Sequence, residues 1–133
     1  MIIAQRVLDA IIDHARATEP RECCGILLGQ FEDGEIVRAL PATNLAHSPN
    51  RYEIDPRDHI EARRFARQAN LTIVGFYHSH PHSAPEPSET DLAEATYRDA
   101  FYLIVGRNGE AWQARLFLFL ERQRATAVDL QVY

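Results

Sequence analysis

Residues 71–91 read LTIVGFYHSHPHSAPEPSETD, and the change of character partway along this stretch decides the fold around it. Its first ten residues are rich in β-branched and aromatic side chains, the composition of a buried strand. Side chains alternate along a strand, so His78 and His80 point to one face at its end while Ser79 points to the other. Pro81 has no amide to give to a ladder and ends the strand there. Pro85 and Pro87 restrict the path that follows. Ser88-Glu89-Thr90-Asp91 then opens a short helix, expected over residues 88–99, with Ser88 as N-cap. The segment is a strand, a stiff turn and a helix start.

Upstream, Ile3, Val7, Leu8, Ile11, Ile12 and Ala15 recur at helical spacing and predict an amphipathic first helix. The apolar run CCGILLGQF (23–31), the turn pair Asp33-Gly34 and EIVRAL (35–40) predict a hairpin. A loop with a short extended piece covers 44–55. Asp55-Pro56 opens a second helix, with Asp55 as N-cap and Ala62, Phe65, Ala66 and Ala69 along one face. Downstream, FYLIVG (101–106), the Asn108-Gly109 turn and AWQARLFLFL (111–120) predict a strand and hairpin. ATAVDLQVY (125–133) predicts one final strand. Helices alternate with strands early and hairpins dominate late, so the class is α/β, a mixed sheet flanked by helices. One domain spanning residues 1–133 is expected.

Composition excludes several functions. The net charge is −5 and all 14 basic residues are Arg without a basic run, so nucleic-acid binding, which rests on phosphate neutralisation, is not expected. No apolar stretch approaches the roughly 20 residues that cross a bilayer. The N-terminus carries charges throughout and no small-residue cleavage site, so the expectation is a cytoplasmic chain away from membranes. Cys23 and Cys24 are adjacent; a bridge between neighbours is strained and closes almost no loop, so two free thiols are expected.

Two imidazoles side by side at a strand end, with Asp91 as a third ligand, leave a tetrahedral zinc a fourth position for water. A capping box explains Ser88 and Asp91 without any chemistry, and both readings stand, because a helix start is a rigid mount for a ligand. His82, past Pro81, reads as solvated, and His14, His47 and His59 lie in helix or loop contexts without a partner pattern.

HSHP, Ser88 and Asp91, taken with Arg21-Glu22-Cys23-Cys24-Gly25 ahead of ILLG, resemble the JAMM (MPN+) zinc metalloprotease family over most of the chain. The resemblance implies a single-domain MPN-like fold, a curved, mostly antiparallel mixed sheet of cytidine-deaminase-like architecture. It also implies one Zn2+ per chain on His78, His80 and Asp91, with Glu22 as general base and Ser88 as donor to the oxyanion. The chemistry is consistent with this division. A base that is not itself a ligand must lie within hydrogen-bond reach, and the oxyanion donor must be fixed before the reaction. On residue pattern alone, Glu22 is equally a solvated carboxylate at a strand start. Cys24 stands where the family has a Cys and reads as packing near the site rather than as a nucleophile.

The family cuts amide or isopeptide bonds at the C-terminal tails of ubiquitin and ubiquitin-like proteins. This chain is similar to its short prokaryotic members, and the implied partner is a ubiquitin-like sulfur-carrier protein ending in Gly-Gly. Alternatives are a non-catalytic MPN scaffold or a deubiquitinase-like activity on another modifier; homodimerisation is left open. A zinc deaminase would need a His-x-Glu and a paired-Cys signature, which HSHP is not. Arg51, Arg57, Arg63, Arg64 and Arg67 read as a solvated face rather than a docking patch. Tyr52 and Tyr77 read as packing beside the cleft.

Overall fold

The computed structural model describes residues 1–97 and 99–133. In chain order, the first half contains β1 (Ile2–Ile3), α1 (Gln5–Thr18), β2 (Cys24–Gln30), β3 (Glu35–Ala42) and α2 (Pro56–Gln68). The second half contains β4 (Thr72–His80), α3 (Glu89–Glu94), β5 (Phe101–Asn108), β6 (Ala111–Leu120), β7 (Arg124–Val128) and β8 (Gln131–Val132). One sheet runs in the order β7-β6-β5-β4-β2-β3-β1-β8. The strand that carries the two histidines is therefore interior, antiparallel to β2 and parallel to β5. The β2–β3, β5–β6 and β6–β7 pairs are antiparallel, giving the expected mixed, mostly antiparallel sheet. β7 and β8 hold opposite edges, yet only Asp129 and Leu130 separate them, so the sheet curls until its edges nearly meet.

Alternation along the strands feeds two cores. Leu27, Tyr77, Leu103 and Val105 pack with Val7, Leu8, Ile11 and Ala15 of α1. Ile26, Leu28, Phe76, Tyr102 and Ile104 pack with Ala62 and Ala66 of α2. The β2–β4 register shifts between Leu27 and Leu28, opposite the step from Gly75 to Ile73. Below this irregularity Val74 belongs to the α1 core; above it Phe76 belongs to the α2 core. Such a bulge re-aims the side chains that follow it. By alternation His78 and His80 then share the side of Phe76.

The glycine near the start of β2, Gly25, has a packing reason. A Cβ at Gly25 would fall 2.1 Å from Cε2 of Tyr77 and 2.5 Å from its hydroxyl oxygen. The ring thus lies directly against β2, and its hydroxyl is 2.7 Å from His14 Nδ1.

Four local expectations need correction. Ile3 is not in the first helix but in β1, where the leading residues find ladder partners on β3 and β8. Ala69 is exposed and is the C-cap of α2, not part of its buried face, because the helix ends at Gln68. The third helix stops at Glu94, since the chain turns extended at Ala95 and stacks Tyr97 on Phe76, ring centroids 5.1 Å apart; Arg98, within that expected helix, lies outside the described residues. The final strand is two strands. β7 leaves β6 at Val128, and β8 crosses to the other edge, where Gln131 N donates to Met1 O and Tyr133 N to Ile3 O, each at 3.0 Å. Among the described residues, no helix is long and apolar enough to cross a membrane.

Gly25→Ala is expected to cost about 1–3 kcal/mol by overpacking, read as a lower urea midpoint. Combining it with Tyr77→Leu should cost less than the sum of the single changes, because the added methyl then has room.

Candidate metal centre

At the end of β4, the Nε2 atoms of His78 and His80 lie 3.2 Å apart. Asp91 Oδ2 lies 3.1 Å from the first and 3.0 Å from the second. Glu22 completes the group: one ligand atom from each of Glu22, His78, His80 and Asp91 falls within 4.8 Å of every other. All four side chains are buried, His78 completely.

Each member is held from a different part of the fold. Asp91 is fixed by a reciprocal cap, its amide donating to Ser88 Oγ and the Ser88 amide donating to Asp91 Oδ2, both at 3.0 Å. His80 Nδ1 lies 3.0 Å from the Ala84 carbonyl, which only accepts, so this nitrogen carries the proton and Nε2 is directed into the cluster. The turn carrying Ala84 rests on β5. A Cβ at Gly106 would fall 2.5 Å from Pro85 N and 2.6 Å from Ser83 O, and Arg107 N donates to Ser83 O at 2.8 Å. His78 is steadied by packing: Tyr52 stacks on its ring with centroids 4.4 Å apart. Its Nδ1 is buried without a hydrogen-bond partner. Glu22 is held by its backbone, whose carbonyl accepts from Asn44 Nδ2 at 3.0 Å.

The electrostatics follow from this packing. A neutral His80 with its proton on Nδ1 brings a bare lone pair toward Asp91 Oδ2 and His78 Nε2. Acceptor atoms this close repel unless a proton or a cation sits among them. Bonds of about 2.0–2.1 Å to a tetrahedral ion would set ligand atoms about 3.3 Å apart, close to the spacing found, so the donor set fits a zinc-type ion. Burial pushes the His78 imidazole down from its ordinary pKa. Burial also acts to lower His80, but the bonds to Asp91 and the Ala84 carbonyl outweigh it and raise the pKa. Burial alone would raise Asp91; His78, His80 and the Ser88 amide outweigh it and hold the carboxyl well below the usual range. For Glu22, burial outweighs the lowering effect of His80. Its Oε1 is buried without a partner, and burial pushes its pKa up to about 8.

The structure brings the expected residues together, with Ser88 and Asp91 joined in the capping box. Cys23 and Cys24 are free and buried, and burial pushes their thiols up to about 11 and about 12, which makes either a poor nucleophile at neutral pH. His82 is exposed, His47 lies 3.3 Å from Arg21, and His59 packs edge-on against Phe76 and Tyr97. Tyr77 is core packing, but Tyr52 covers a member of the cluster. Asn44 went unnoticed in the sequence. Its side chain also accepts the amides of Ala46 and Glu53, both at 2.9 Å, and so folds the 44–54 loop back toward Glu22. The bond to Ala46, two residues on, is an Asx turn that an Asn in a loop can signal. Nothing local signals Gly106.

Residues 4–116 match the family described as prokaryotic homologs of the JAB domain, Prok-JAB. The chain belongs to this family. A desampylase from Haloferax volcanii is 37% identical over 112 residues, 80% of this chain and 81% of that protein. A CysO-cysteine peptidase from Mycobacterium tuberculosis is 34% identical over 105 residues, 79% of this chain and 72% of that protein. A probable TtuB-protein conjugate cleaving protease from Thermus thermophilus is 30% identical over 131 residues, 98% of this chain and 83% of that protein. A solution structure from Desulfitobacterium hafniense superposes with a TM-score of 0.89 at 26% identity, covering 100% of this chain and 93% of that one. A JAB1/MPN domain protein from Archaeoglobus fulgidus shares the fold, with a TM-score of 0.62 at 18% identity, covering 100% of this chain and 96% of that one. The Prok-JAB assignment agrees with the resemblance carried by the HSHP and ECCG motifs.

Gly106→Ala is expected to lift the 83–85 turn from β5 and withdraw the Ala84 carbonyl from His80. The Nδ1 proton of His80 should then exchange with water at least ten-fold faster in proton NMR, while the fold is retained, because a protecting hydrogen bond is gone.

Proposed function

We propose that this chain is a zinc-dependent peptidase or isopeptidase of the JAMM type. Its substrate is an amide bond at the C-terminal Gly-Gly tail of a ubiquitin-like sulfur-carrier protein. The observation that carries the reading is the convergence of a buried, unpartnered carboxylate oxygen on a His-His-Asp triangle with metal-ligand spacing. The names of the relatives, a desampylase, a CysO-cysteine peptidase and a TtuB-protein conjugate cleaving protease, support a small-protein conjugate as substrate.

In this reading His78 Nε2, His80 Nε2 and Asp91 Oδ2 hold the zinc. Zinc at such a site acts as a Lewis acid and lowers the pKa of water toward about 7. Glu22 is the proton shuttle. A cation held beside it would favour its ionised form, in which Oε1 takes a proton from the attacking water as the water oxygen bonds the scissile carbonyl carbon. When the C–N bond breaks, the same proton passes to the leaving nitrogen, giving the amine and a carboxylic acid, which then loses its own proton to become the carboxylate. The Ser88 oxygen already accepts the Asp91 amide, so its hydroxyl proton remains to be donated. That proton stabilises the oxygen that gains charge on the scissile carbonyl.

A carrier fused through its Gly-Gly end to a C-terminal extension tests the reading with purified, zinc-replete protein. Glu22→Gln should lower kcat/KM by about 10²–10⁴ without changing zinc content. Equal processing by wild type and Glu22→Gln refutes the proposal. Tyr52→Ala should weaken zinc binding by about ten-fold or more, since it removes the ring that holds His78, whereas Tyr52→Phe should keep it. Competition with a chromogenic chelator measures both.

A further inference from the structure

One side chain ties the 44–54 loop to the backbone of Glu22. Asn44 uses the whole hydrogen-bonding capacity of its amide, two donated and two accepted bonds. Its Nδ2 donates to the Glu22 carbonyl at 3.0 Å and to the Arg51 carbonyl at 3.2 Å. Its Oδ1 accepts the Ala46 and Glu53 amides, both at 2.9 Å. Backbone carbonyls only accept and backbone amides only donate, so these neighbours allow one orientation of the group. Arg51 and Glu53 flank Tyr52, whose ring stacks on His78. A single planar amide therefore touches the backbone of Glu22 and both neighbours of Tyr52.

We infer that Asn44 is a positioning residue, whose side chain sets the Glu22 carboxyl and the Tyr52 ring relative to the His-His-Asp triangle. Its effect on turnover rests on the proposed peptidase reading; its effect on the two groups rests on geometry. Glu22 Oε1 has no hydrogen-bond partner, so no bond to that oxygen fixes it, and its place follows from the backbone. The peptide group joining Glu22 to Cys23 is gripped at both polar atoms. Its N–H donates to Ser79 Oγ at 2.8 Å, and its carbonyl accepts from Asn44. A planar unit held at both edges has little freedom to rotate, and the direction in which Glu22 leaves the chain is fixed with it. The loop closes without this side chain, since Leu45 N donates to Glu53 O at 2.8 Å and Asp55 N to Thr43 O at 3.0 Å. What Asn44 adds is the placement of a closed loop against Glu22. An Asp here keeps the accepted bonds but sets a carboxylate oxygen against two carbonyls. A Ser is too short to reach Glu22 and retains at most the turn bond to Ala46.

Asn44→Asp and Asn44→Ser test this beside wild type, with the carrier fusion as substrate and zinc saturating. Each should lower kcat by about ten- to a hundred-fold and leave KM within about two-fold. In a Glu22→Gln background the same changes should lower the residual kcat no further, because the group they position is already disabled. Zinc affinity, read by chelator competition, should fall by about ten-fold, but not in a Tyr52→Ala background. A general loss of stability would act in every background. The metal-free protein gives a readout without turnover. In proton NMR the His78 ring signals of each variant should move toward their positions in Tyr52→Ala. Asn50→Ala, in the same loop but bonded to Ser48 Oγ, should change none of these. Unmoved His78 signals and zinc affinity, or equal effects in all backgrounds, overturn the role of Asn44. An unchanged kcat in a wild type that does cut the fusion overturns it too. If wild type cuts no fusion while the His78 signals and zinc affinity respond as stated, Asn44 keeps its role and the carrier-peptidase reading falls.

Discussion

Ser79 sits between the two histidines and faces away from them, taking the Cys23 amide on its hydroxyl at 2.8 Å and giving its own amide to the Cys23 carbonyl at 3.1 Å. This exchange carries the pairing of β2 and β4 past its last register position, Cys24 opposite His78. Glu22 is the residue just beyond. Without the clasp, the connection between α1 and β2 would be free to leave the sheet, and solvation of Glu22 would favour its leaving. A buried carboxyl without a partner costs free energy. The hydrogen bonds of its backbone neighbours offset that cost, and the Tyr77 ring packed on Gly25 blocks the next place where the pairing could loosen. The hydroxyl in HSHP thus acts through geometry: it sets how far Glu22 stands from the imidazoles without touching the reacting atoms.

The two faces of this strand end divide the work. On the α1 side, Ser79 and Tyr77 have their hydrogen bonds satisfied, with Cys23 and His14. On the other side, His78 Nδ1 and Glu22 Oε1 are buried with no partner. Unsatisfied polar groups persist in a folded chain only where surrounding structure over-determines them, and such groups concentrate at functional sites. Here the over-determination comes from four separate places: a ladder extension, a helix cap, a proline-stiffened turn seated on Gly106, and a loop aromatic. None of these elements holds more than one member of the cluster by itself. The arrangement therefore forms only when the sheet, α3 and the 44–54 loop are all assembled.

That dependence explains what could be read in the chain beforehand. Side-chain alternation is a local property, so His78 and His80 could be assigned to one face without a structure. Asp55 as N-cap of α2 and Ser88 as N-cap of α3 are equally local, and both cap as their sequences indicate. The four-residue cluster needed the motif as a whole, because no periodicity links Glu22 to a strand more than fifty residues away. The bulge at Val74, between Ile73 and Gly75, is set by pairing with β2, and it decides which helix the histidines face. The early stop of α3 depends on Tyr97 finding Phe76 and His59, and the split of the last strand on an open edge at β1. Tyr52 was legible as packing beside the cleft, but its partner His78 was not, and Gly106 was opaque for the same reason. Each matters only through a partner brought close by the tertiary fold.

Burial of the cluster also gives the site a direction. Glu22, His78, His80 and Asp91 are between 0% and 6% exposed, so a carbonyl carbon can approach Glu22 only on a thin segment of chain. Backbone flanked by Cβ atoms would bring more bulk to a cluster that the Tyr52 ring, stacked on His78, already covers. Glycine removes those atoms and tolerates the dihedral angles that a close approach imposes. Beyond Asp91 the adjoining space is wider, with Phe76 and Tyr102 among its walls beside Arg51, Glu53 and Glu94. A site narrow on one side and roomy on the other has a polarity that its ligand set alone, nearly symmetric about the ion position, would not supply.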